Sequence, residues 1–251
     1  MAVRDPMVGA GMSIRATRAV GLLGVASFVL ILVGAFVSPP LWDTPGINTS
    51  STHLAMYLYA NHERTIASLF IYSLAMGLFL SFAAGLWSWL RQSEQAPQML
   101  SAIFAFGAIG LSVLIFAGFA VAAVMSYRPQ PPALAVSLTD MTFGLLALSG
   151  IPTALCLAAY AILVFRHRCL PAWTGWLAFI AVDAHILIAA SFLGHGNLFS
   201  PEGAVIVAVP ATLFAWILAS SVVLLRTTTG VSHERPSAAT HTVLSRCPRW
   251  R

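Results

Sequence analysis

Apolar residues in this chain neither alternate nor recur as a one-sided stripe; they continue for whole membrane widths. Six stretches, 19–37, 66–90, 100–125, 139–165, 172–193 and 205–225, are almost uncharged. A helix rises about 1.5 Å per residue and a bilayer's hydrocarbon is about 30 Å thick, so a crossing takes about 20 apolar residues. In lipid every backbone polar group must be satisfied within the structure, and runs of this length do so as helices. The pattern predicts an all-α membrane protein, a six-helix transmembrane bundle. The longer runs must tilt or carry ends that leave the hydrocarbon.

Between the spans the chain punctuates itself. Residues 1–18 form a basic lead, 19–226 the six-span domain, and 227–251 a tail rich in Thr, Ser, Pro and Arg that is expected to be disordered. The longest connection, between spans one and two, contains Pro39, Pro40, Pro45 and Gly46 and reads as irregular. After it Ser51 or Thr52 is placed to cap a short interfacial helix with Leu54, Tyr57 and Leu58 on one side. The other connections are short, which makes consecutive spans antiparallel neighbours. The first apolar run exceeds the 7–15 residues typical of a signal peptide, and Gly34 to Ser38 is a poor cleavage site, so it reads as a retained span.

Charge then orients the bundle. Only 8% of residues are charged, against about 25% in soluble domains, and all thirteen basic residues are arginine. With the N-terminus inside, eleven of them (4, 15, 18, 91, 166, 168, 226, 235, 246, 249 and 251) fall on the inner side and two, Arg64 and Arg128, outside. That bias predicts cytoplasmic N- and C-termini in a multi-pass protein of the cell membrane. The net charge of +5 needs no nucleic acid. It is suited to anionic lipid headgroups at the inner face, worth about 1 kcal/mol per arginine near the surface.

Two rows of small residues, Gly77, Ser81 and Gly85 in span two and Gly150, Ala154 and Ala158 in span four, recur every fourth position. Each lines one helical face, where backbones can approach closely in lipid.

Candidate chemistry is confined to a few polar positions at membrane depth. Asp183 falls near the centre of span five with His185 close by; an ionisable residue there is by default a candidate functional site. Residues two apart are separated by about 200° on a helix, so the two side chains point in nearly opposite directions. His185 shares its face with Ala178, Ala181 and Ala189, whereas Asp183 looks toward Phe179, Ile180, Leu187 and Ala190. At comparable depth stand Ser27, Ser112, Ser149, Thr153 and Trp216, and Pro152 frees the carbonyl of Leu148. The expected candidate site is Asp183, His185, Ser149, Thr153 and Ser112. No arginine lies at this level, so burial would favour the neutral, hydrogen-donating form of Asp183.

Other chemistries lack their motifs. Asp43, His53, His62, Glu63, Asp140, His195 and Glu202 fall on or near the outer side, but no HExxH or HxxxH pairing occurs. Haem held across helices takes histidines from two spans, and His185 is the one histidine inside a span. No catalytic residue, metal or cofactor is expected. Cys156 lies within a span, and Cys169 and Cys247 face a reducing compartment, so no structural disulfide is expected.

Five segments carry a resemblance. Leu170-Pro-Ala-Trp-Thr-Gly-Trp-Leu-Ala178, Leu198-Phe-Ser-Pro-Glu-Gly203, Phe214-Ala-Trp-Ile-Leu218, Tyr59-Ala-Asn-His62 and Trp87-Ser-Trp-Leu-Arg91 together resemble a family of uncharacterised six-span membrane proteins common in actinobacteria, over about residues 19–226. The resemblance implies a compact helical bundle and no known activity. Read from the residues, Pro171 suits the first turn of span five, Trp173 and Trp176 an aromatic belt, and Ser200 to Gly203 a turn capping span six. The leading expectation is a non-enzymatic structural or accessory membrane component acting through lipids or a protein partner. The alternatives are a small proton- or cation-coupled carrier using Asp183, and an outer-face metal-dependent hydrolase.

Overall fold

The computed structural model of the chain describes residues 13–39, 45, 49–94, 96–191 and 204–230, with 204–208 and 228–230 described by backbone alone. Eight helices make up this part: α1 (Ile14–Val37), α2 (Ser51–Ala60), α3 (His62–Ser93), α4 (Met99–Tyr127), α5 (Pro132–Leu148), α6 (Gly150–His167), α7 (Ala172–Ala190) and α8 (Ala204–Gly230). No strand occurs among the described residues. Six helical segments are long and apolar enough to cross a membrane: α1, α3, α4, α5 with α6 as one run, α7, and Val209–Thr227 of α8. At 32 residues α3 is about 48 Å long, so it exceeds the hydrocarbon unless tilted.

Local chemistry sets the helix ends. The Ser13 hydroxyl accepts from the N–H of Ala16 and starts α1 five residues before the apolar run. Ser50, rather than Ser51 or Thr52, caps α2 by accepting from His53 N–H. Arg64 donates to the carbonyls of Val37 and Ser38 at 3.2 and 3.1 Å, placing a cation where the α1 dipole is negative. Pro171 sits at the N-cap of α7 rather than within its first turn. At the other end of the chain α8 stays helical to Gly230, so residues 227–230 belong to the bundle helix rather than to a disordered tail.

Span four is broken. Pro152 has no N–H for the carbonyl of Leu148, and α5 gives way to α6 at Ser149. The helices then pack in a closed ring in the order α1, α3, α4, α6, α7, α8 and back to α1. α5 leans on α4, and α2 rests on α5 through its half-buried side bearing Leu54, Tyr57 and Leu58. This short helix is therefore seated on protein, not only on the interface.

Aromatic rings fill the inside of the ring of helices. Trp216 of α8 lies 5.0 Å from Tyr160 of α6, 6.1 Å from Phe82 of α3 and 6.5 Å from Phe104 of α4, all fully buried, with Phe79 against Phe82. Edge-on aromatic pairs at such spacings add about 0.5–1.5 kcal/mol each beyond their area.

The two small-residue rows differ in what they face. A Cβ on Gly150 would collide with the carbonyl oxygen of His185, and one on Gly85 would collide with Val20. These mark the α6–α7 and α1–α3 crossings. Gly77 and Ser81, by contrast, face outward, and nothing lies within 4 Å of a Cβ built on Gly77. The first row is therefore a packing face only at Gly85.

Candidate functional site

The hydroxyl groups at mid-depth are satisfied one by one, mostly within their own helix, whereas the buried Trp216 Nε1 has no hydrogen-bond partner among the described residues. Ser27 of α1 donates to the Ala75 carbonyl of α3 at 2.8 Å and so joins two helices. Ser112 donates to Ala108 O at 2.8 Å with the Met76 sulfur 3.5 Å away. Ser149 donates to Leu146 O and Thr153 to Ser149 O, at 2.6 and 2.7 Å. Ser112, Ser149 and Thr153 each spend their proton on a backbone carbonyl of the preceding turn, which is how such residues are accommodated in a membrane helix.

His185 is 5% exposed, and its Nδ1 stands 2.8 Å from the Ala181 carbonyl. A carbonyl only accepts, so Nδ1 carries the proton in this contact. The same turn of α7 is where Gly150 lets α6 approach, so His185 lies at a helix crossing.

Asp183 is not buried. It is exposed on the outside of the ring, among Phe179 and Ile180 one turn before it and Ile186 and Leu187 one turn after. The reason is the helical angle: with His185 and Ala181 turned inward, a residue two positions before His185 must turn outward. No hydrogen bond or ion pair holds its carboxyl among the described residues. A carboxyl at the depth that the length of α7 gives it is costly in lipid, so this placement is the most expensive polar feature of the span. The five expected site residues therefore do not converge. Ser149, Thr153 and Ser112 are locally satisfied, His185 faces a neighbouring helix, and Asp183 faces away from all of them.

A buried hydroxyl cluster lies elsewhere, toward the end of the bundle that carries Arg15, Arg18, Arg91, Arg166, Arg168 and Arg226. Tyr160 of α6 donates to Thr174 of α7 at 2.9 Å, and its hydroxyl lies 3.2 Å from Ser220 of α8; Thr174 donates in turn to Pro171 O at 2.8 Å. Tyr160, Thr174 and Ser220 are all fully buried. The cluster ties three neighbouring spans at one level and is what the ring has in place of a mid-depth polar site. Its signal in the sequence was a tyrosine interior to an apolar span, with hydroxyl residues near the same end of the next two.

The loop at this end is also built around a carboxylate. Glu94 accepts from the N–H groups of Leu100 and Ser101, both at 2.9 Å, and so caps the start of α4 from the α3 side. Partial burial pushes its pKa up, but the bonds from Ser101 and Leu100, with His167 nearby, outweigh this and hold it below the ordinary 4.5. Arg91 lies over the Trp87 ring at 5.6 Å and donates to Gln98 at 2.7 Å. These contacts fix the turn between α3 and α4.

At the opposite end the titratable residues stay apart. His53, Glu63 and Asp140 are exposed, and His62 stacks on Tyr59 with its Nδ1 2.8 Å from the Tyr59 carbonyl. Among the described residues no three His, Cys, Asp or Glu side chains converge as a metal would require. Asp43, His195 and Glu202 lie outside the described residues, as do the Ser200 to Gly203 turn and Cys247.

Together these features define a multi-pass membrane protein of the helical-bundle class, with an aromatic interior and an outward carboxyl. No protein-family model matches the chain, no curated protein is recognisably similar to it in sequence, and no solved structure matches it.

Proposed function

We propose that this chain is a non-enzymatic accessory or structural component of the cell membrane, inserted with its arginine-rich end and both termini in the cytoplasm. The observation that carries the reading is the filled interior. Trp216, Tyr160, Phe82 and Phe104 occupy the middle of the helix ring, and the serine and threonine hydroxyls at mid-depth spend their hydrogen bonds on backbone carbonyls. A carrier needs a water-accessible route past an ionisable group; here the rings stand inside and Asp183 outside. The arginines gathered at one end support contact with anionic headgroups on the cytoplasmic side. Kinship with the six-span actinobacterial proteins belongs to the same proposal and is supported by the loop and helix-end motifs alone.

The test is transport. The purified full chain is placed in liposomes enclosing a pH-sensitive dye, and a proton or cation gradient is imposed. Leak equal to that of protein-free vesicles, in parent and Asp183→Asn alike, is the expected result. Flux that requires the chain and disappears in Asp183→Asn overturns the accessory reading and installs the carrier in its place.

A further inference from the structure

Asp183 is the eleventh residue beyond Ala172, which at about 1.5 Å per residue places it about 16 Å along α7, near the middle of a hydrocarbon layer about 30 Å thick. The outward face of α7 is continuous on either side of it. Trp176, Phe179 and Ile180 lie toward the arginine-rich end and Ile186 and Leu187 toward the other, at 41–63% exposure. Among the described residues α6 and α8, with α5 to a smaller extent, pack on α7 and leave this face open. A carboxyl that nothing in its own bundle answers is thus displayed at the centre of a bulky apolar strip.

The geometry of insertion limits what a second copy can present. Chains inserted the same way round are related by a two-fold axis only along the membrane normal, and such an axis brings residues of equal depth together. Two α7 helices meeting there set Asp183 opposite the partner's Asp183. A neutral carboxyl donates through its O–H and accepts through its C=O, so two facing acids complete each other with no third group. Among the described residues no arginine or histidine is exposed at this depth, so the complement that another copy offers is the same acid. We propose that two copies of this chain pair through the outer face of α7, Asp183 against Asp183, about a two-fold axis normal to the membrane. The pairing goes beyond the accessory reading, and would stand or fall by oligomeric state whatever the flux experiment gives.

The test uses the full chain with Cys247→Ser, reconstituted in phosphatidylcholine vesicles at several protein-to-lipid ratios. Single cysteines replace Ile180 or Ile186 on the α7 face, and Phe106 on the outward face of α4, 74% exposed, serves as the control. Oxidation is expected to link Ile180→Cys and Ile186→Cys into dimers and to leave Phe106→Cys monomeric. In a parallel energy-transfer measurement, Asp183→Leu should dimerise about 3- to 20-fold more weakly, the range set by side-chain hydrogen bonds measured in membrane proteins. Asp183→Asn keeps a self-complementary donor and acceptor and should dimerise nearly as the parent does. Dimers linked through α4 but not α7, or dimerisation indifferent to Asp183→Leu, overturn the proposal. So does a purified chain that stays monomeric at every ratio while its α7 cysteines link to a different protein in native membranes; the occupant is then a heterologous helix with a donor at mid-depth.

Discussion

Replacing Gly150 and Gly77 by alanine puts the helix-crossing argument to a direct comparison, because the same added methyl meets opposite surroundings. On Gly150 the new Cβ would fall against the His185 carbonyl oxygen at a separation no real contact shows, with the Ala189 nitrogen at 3.3 Å. Those are backbone atoms of α7 and cannot swing aside, so α6 and α7 must part. Such overpacking typically costs about 1–3 kcal/mol. The alanine also gains helix propensity, worth about 0.5–1 kcal/mol in a helix interior and less at position 150, the first residue of α6. The net expectation is a loss of about 1–2 kcal/mol. On Gly77 nothing lies within 4 Å, so only the propensity gain remains. Thermal unfolding in a mild detergent, followed by helical circular dichroism, should rank Gly77→Ala at or above the parent and Gly150→Ala clearly below it. Equal melting of Gly150→Ala and parent would refute close packing at this crossing; a matching loss in Gly77→Ala would place a neighbour where the ring has none.

Three further outcomes are expected. Tyr160→Phe removes the hydroxyl joining α6 to α7 and α8 and should lower stability by about 0.6–1.7 kcal/mol in the same melt; an unchanged midpoint would mean the cluster contributes nothing. Glu94→Gln should cost about 1 kcal/mol at neutral pH through its weaker cap on α4. Because the folded Glu94 pKa is depressed, its contribution is complete above about 4.5 and is lost as pH falls through the lower folded value, so parent and variant midpoints should converge in acid; a gap that persists there would refute the carboxylate role. Finally, a reporter active only in the cytoplasm should work when fused after Arg91 or Arg168 and fail after Arg128, and activity at Arg128 would reverse the orientation.

How far the fold was legible follows from the length of its signals. Runs of about 20 apolar residues admit one structure in lipid, so each of the six spans was readable without reference to the others. The ends were less so, because a helix continues as long as its backbone bonds and caps allow. Ser13 and Arg64 extend order beyond the hydrophobic limits, and no hydropathy pattern includes them. The break at Ser149 was half readable: Pro152 announces a missing N–H, but where the helix yields depends on α4 and α7 packing against it. Helix order around the ring was readable, because short connections make consecutive spans neighbours and the ring runs through them in sequence; which face of each helix packs was not, since outward and inward faces are both apolar in lipid. Gly77 and Gly85 lie on one row, yet one meets Val20 and the other meets nothing.

The expected burial of Asp183 is the instructive failure, because the sequence held the correction. The 200° between positions 183 and 185 meant that only one of them could face the bundle, and the small residues Ala178 and Ala181 on the His185 side already marked the face that packs. Phe179, Ile180 and Leu187 on the other side are what acyl chains or a bulky interface would meet. Against that stood the expectation of burial, which follows the tendency of ionisable groups at mid-depth to face the bundle interior and treats the single chain as the whole solvent-excluding unit. The helix angle is a constraint of backbone geometry; the inward rule is an energetic tendency of finished assemblies. When the two conflict within one chain the geometry holds, and the outward carboxyl is where the proposed pairing of two copies would act.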